Sequence, residues 1–77
     1  MATLMEAKTR ALRAHKKARS DGVCAAIYDR WLANTLLATK DQDQAIAAVM
    51  FTRLAIALEI MTDMKGWSAG QVVGVTA

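Results

Sequence analysis

Apolar positions recur at helical spacing in three blocks of this chain, separated by short polar breaks. In the first block Leu4, Ala7, Ala11, Ala14 and Ala18 fall on one narrow stripe of a helix. The run Thr3-Leu4-Met5-Glu6 reads as a capping box, in which hydroxyl and carboxylate satisfy each other's backbone amides. Together they predict a first helix over about residues 4–19. Ser20-Asp21-Gly22 breaks it, with glycine for the turn and Ser20 or Asp21 as a cap. A second helix, about 23–38, carries Cys24, Ile27, Tyr28, Trp31, Leu32, Leu36 and Leu37 around most of its circumference. Such a helix is expected at the centre of a bundle or in a subunit contact.

The break Thr39-Lys40-Asp41-Gln42-Asp43-Gln44 holds two overlapping capping boxes, Thr39 to Gln42 and Asp41 to Gln44. A third helix is predicted over about 42–64. Ile46, Met50, Leu54, Ala57, Leu58 and Met61 form its main apolar face, widened by Ala47 and Phe51, with Thr52, Glu59 and Asp63 opposite. Lys65-Gly66 supplies the cation and glycine that end helices. Beyond them Ser68 to Gln71 could cap a short fourth helix, but Val72-Val73-Gly74-Val75 suits an extended tail equally well.

Composition strengthens the helical reading. The chain has no proline, four glycines and sixteen alanines among its 77 residues, and alanine is the best helix former. The expected architecture is a single all-α domain over 1–77, a small bundle of three main helices. A chain this short buries little surface and needs support. One cysteine gives no intrachain disulfide, which leaves helix packing and self-association. Val49, Ile56 and Ile60 add apolar surface to the third helix beyond one stripe, and the second helix is apolar nearly all round. Surplus apolar surface predicts a homodimer, with Trp31, Met50, Leu54, Leu58 and Met61 at the contact.

Charge is placed unevenly. Residues 1–20 hold Lys8, Arg10, Arg13, Lys16, Lys17 and Arg19 against Glu6 alone, whereas residues 21–77 carry more acids than bases. The whole net charge of +3 therefore arises in the first helix. These six cations are the expected partner-binding residues, toward an acidic protein surface or toward nucleic-acid phosphates. A membrane partner is not expected, because the apolar stripe between the cations is alanine and Arg53 and Glu59 interrupt the most apolar stretch. With no apolar run after the charged N-terminus and a single thiol, the expected location is the cytoplasm.

Candidate chemistry is thin. There is no phosphate loop, nucleophile elbow, zinc-protease motif or CxxC pair. Cys24 and His15 lack an evident third group to complete a nucleophilic site. Glu59 and Asp63 share a helix face without a third ligand, which reads as a solvated polar face. Met50, Met61 and Met64 suit Cu(I) in principle, but Met50 and Met61 fall on the apolar stripe of the third helix, where methionine is more often core or an adaptable surface. No enzyme activity, metal or cofactor is expected. Ala18, Gly22 and Val23 match the turn of a helix-turn-helix, yet the helix after it offers Ala25, Ala26, Ile27 and Trp31 in place of base-reading residues. The aromatic residues Tyr28, Trp31, Phe51 and Trp67 serve as core or as interface anchors. These features predict a small non-catalytic interaction module, a regulator or inhibitor of a larger machine. Its size and style fit the small regulators carried by phages or plasmids. The alternative is a nucleic-acid binder without sequence specificity, using the same helix.

Overall fold

A computed structural model describes residues 3–20 and 25–63, in three helices packed together. They are α1 (Leu4–Ser20), α2 (Ala25–Thr39) and α3 (Gln44–Asp63). The predicted helices agree with these to within about two residues at each described end. The Ser20-Asp21-Gly22 break past Ser20, Cys24 and the open choice over residues 68–77 lie outside the described residues.

The caps explain the small shifts. At α1 the Glu6 amide donates to Thr3 Oγ1 at 3.2 Å, as the capping box requires. The Thr3 hydroxyl in turn donates to the Glu6 carboxylate at 3.0 Å, so Glu6 returns to the side chain of Thr3. At α3 neither expected box forms. Asp43 Oδ1 accepts from the Ile46 amide at 2.9 Å, which makes Asp43 the cap and starts the helix at Gln44. Gln42 is drawn instead into a turn, its amide donating to the Thr39 carbonyl at 3.2 Å.

The centre of the bundle is the α1–α3 pair. Thr3 and Leu4 share a groove with Gln44, Ala45 and Ala48, and Arg10, further along α1, reaches Glu59, further along α3. The two helices therefore run parallel, with α2 returning between their ends. Ala7, Ala11, Ala14 and Ala18 are all buried and form the seam of α1. Methyl groups let two backbones approach closely but contribute little area each. The bulk comes from α3, whose Phe51 and Leu58 are the largest fully buried side chains.

The inward side of α3 is rotated from the face drawn from its sequence. Ala47, Ala48, Phe51, Leu54, Ala55, Ala57 and Leu58 are buried, whereas Ile46 is exposed. Ala48, Ala55 and Glu59 lie on one side of the helix, the side that meets the alanine seam. Ala48 and Ala55 share one core cluster with the α1 alanines, beside Phe51, Leu54 and Leu58. A reading by hydrophobicity alone ranks isoleucine and methionine above alanine and misses it.

Of the two places expected for α2, the centre of the bundle is not the one it takes. Tyr28 is its one buried residue, and Trp31 and Leu32 only lean on the core. Tyr28 and Trp31 meet edge to face, their ring centroids 6.5 Å apart. Tyr28 joins the core cluster of the α1 alanines while most of α2 stays outside it, so α2 is the outlying helix of the three. The helices hold their threonines by a common device. Thr9, Thr35, Thr39, Thr52 and Thr62 each donate a hydroxyl hydrogen to the carbonyl four residues back.

Candidate interaction surface

With its alanine stripe locked against α3, α1 turns its remaining circumference outward. The six expected contact cations are all exposed, but they are not equivalent. Arg10 is held by Glu59 in a two-pronged pair, Nε to Oε1 at 2.8 Å and Nη2 to Oε2 at 2.7 Å. The hydrogen bond from Arg10 holds the Glu59 carboxyl below its ordinary range, against partial burial; the charges of Arg10 and Lys17 act in the same direction. The Arg10 guanidinium is correspondingly held above its own ordinary value by the same hydrogen bond. Glu59 is therefore a tie between helices, where the sequence reading had placed a solvated face.

Arg19 Nε lies 3.6 Å from Asp29 Oδ1. His15 Nε2 is 2.8 Å from the same oxygen. A carboxylate oxygen accepts, so the imidazole donates from Nε2. His15 is largely buried and ties the end of α1 to the start of α2. Lys8 places its ammonium 5.5 Å from the centre of the Phe51 ring, a cation–π contact. Arg13 and Lys16 have no ion pair or hydrogen bond among the described residues.

Two exposed apolar residues stand among these cations, Met5 at 77% and Leu12 at 50% exposure. The sequence reading did not single them out. Their signal was their spacing, seven residues apart and on the far side of α1 from the alanine stripe.

The residues expected at an oligomer contact divide. Leu54 and Leu58 are buried inside the bundle, out of reach of a second copy unless the helices part. Trp31 and Met61 are partly buried against the core, and Met50 is half-buried. The large apolar residues left exposed on α2 and α3 are Leu36, Leu37, Ile46 and Val49.

Among the described residues no three of His, Cys, Asp or Glu come together as metal ligands. Cys24, Met64 and Trp67 lie outside them. By length and composition α3 could cross a membrane, with 39% of its most apolar window buried within the bundle. No family model, curated protein or solved structure matches the chain.

Proposed function

We propose that this chain is a small cytoplasmic protein–protein interaction module without catalytic activity, which regulates or inhibits a larger machine by docking α1 on an acidic surface. The observation that carries the reading is the exposed pair Arg13 and Lys16, cations with no anionic partner among the described residues. They stand on a helix whose other side is already packed. Desolvating such cations is favourable only against a complementary charge, so they favour an acidic partner and steer its approach.

Nucleic acid is the competing partner for the same helix. Met5 and Leu12, exposed among the cations, favour protein, because a phosphate backbone offers apolar side chains nothing to bury against. Self-association belongs to the same proposal, through Leu36, Leu37, Ile46 and Val49 as unpartnered apolar surface on α2 and α3.

The test is purification of the tagged chain from its native lysate with and without nuclease, beside an Arg13→Glu/Lys16→Glu variant. A protein complex that survives nuclease and is lost in the variant supports the proposal. Co-purification that collapses with nuclease assigns α1 to nucleic acid. Arg10 is left intact in the variant because it ties α1 to α3.

A further inference from the structure

We infer that the segment seated on α1 is an acidic amphipathic helix of the partner, an inference that rests on the docking reading above. Met5 and Leu12 are two turns apart on one side of α1, which places them about 10 Å apart along its axis. Beside them a shallow groove of about 550 Å³ runs past Leu4, Met5, Lys8, Leu12 and Gln44. Lys8 stands at its edge, positioned over Phe51. Lys16 continues the basic flank one turn beyond Leu12.

The surface thus offers two apolar contacts at seven-residue spacing with cations alongside. A helix with apolar residues at i, i+3 or i+4, and i+7 presents the complementary stripe, and acids flanking that stripe meet Lys8, Arg13 and Lys16. Methionine's flexible thioether adapts to whichever apolar side chain arrives. An extended peptide fits poorly. The backbone groups inside α1 are already paired with each other, so a strand lying on it finds no edge to pair with and its amides and carbonyls stay with water. A helix brings its backbone bonds with it.

The experiment titrates the full-length chain, labelled for NMR, with three probes. One is a synthetic acidic peptide with leucines at i, i+4 and i+7. The second has the same composition scrambled to destroy the stripe. The third is a DNA duplex. The striped peptide is expected to move the resonances of Met5, Leu12, Lys8 and Lys16, and to bind about tenfold more tightly than the scrambled one. Met5→Ser/Leu12→Ser, at exposed positions, is expected to erase that preference with helical circular dichroism unchanged. Equal binding of the two peptides overturns the helix inference and leaves docking by charge standing. Binding of the duplex alone, or of no probe, overturns both.

Discussion

Arg10 and Glu59 are about half exposed, yet their two-pronged geometry fixes α1 against α3 in register. Solvent screens such a pair, so its worth is about 0.5–1 kcal/mol. Glu59→Gln is expected to lose that much in denaturant unfolding, with the double variant Arg10→Ala/Glu59→Gln showing the coupling. The pair also sets a pH dependence. Because the folded carboxyl titrates below its ordinary value, the stabilisation is fully present above the unfolded Glu range, about pH 4.3. It is lost as pH falls from there through the depressed folded value. Glu59→Gln is expected to flatten this part of the acid-unfolding profile; an unchanged profile would mean the pair does not form in solution.

At the scale of elements, the alanine seam and the caps do separate work. Ala11 is fully buried in the alanine stripe of α1. Ala11→Leu is expected to push the helices apart and destabilise by about 1–3 kcal/mol, although leucine has nearly the same helix propensity. A rise in thermal midpoint for that variant would refute the seam. Asp43 carries the start of α3, and Asp43→Ala is expected to cost about 1 kcal/mol. Hydrogen exchange should quicken at the Ile46 amide while the middle of α3 stays protected. The sequence offers Thr39 and Asp41 as caps, each with a glutamine three residues on, whereas the cap taken is Asp43, with Ile46 in that place. Local pattern could not choose among them. In the structure Gln42 turns back to Thr39 and Asp43 takes the cap.

At the scale of the whole molecule, the bundle makes its deepest contacts between α1 and α3 and leaves apolar surface exposed on α2 and α3. Leu37 is 77% exposed, and Val49 and Ile46 are also exposed. If these surfaces pair in a dimer, Leu37→Glu/Val49→Glu is expected to yield a helical monomer in sedimentation velocity. Leu54→Asp is expected to unfold the chain instead, because Leu54 lies in the core of a single copy. A folded, soluble Leu54→Asp protein would contradict the packing described above. The cations divide in the same way, with Arg10 serving the fold and Arg13 and Lys16 without an ion pair among the described residues.

The helices, their approximate limits and the concentration of positive charge on α1 are legible in the order of the residues. These follow from local propensity, periodicity and composition, which act within a few residues. The sequence also marked the alanine stripe, since four methyl groups at helical spacing have few other uses. Which helix packs with that stripe, and so which side of α3 is the core, is settled by packing across the bundle. That packing likewise decided that Glu59 is a tie and that Leu54 and Leu58 are interior. Such outcomes depend on what lies across the contact. Small residues pack where other small residues oppose them, and a charge is structural or free according to which residue, 49 positions away in sequence, comes within 3 Å of it.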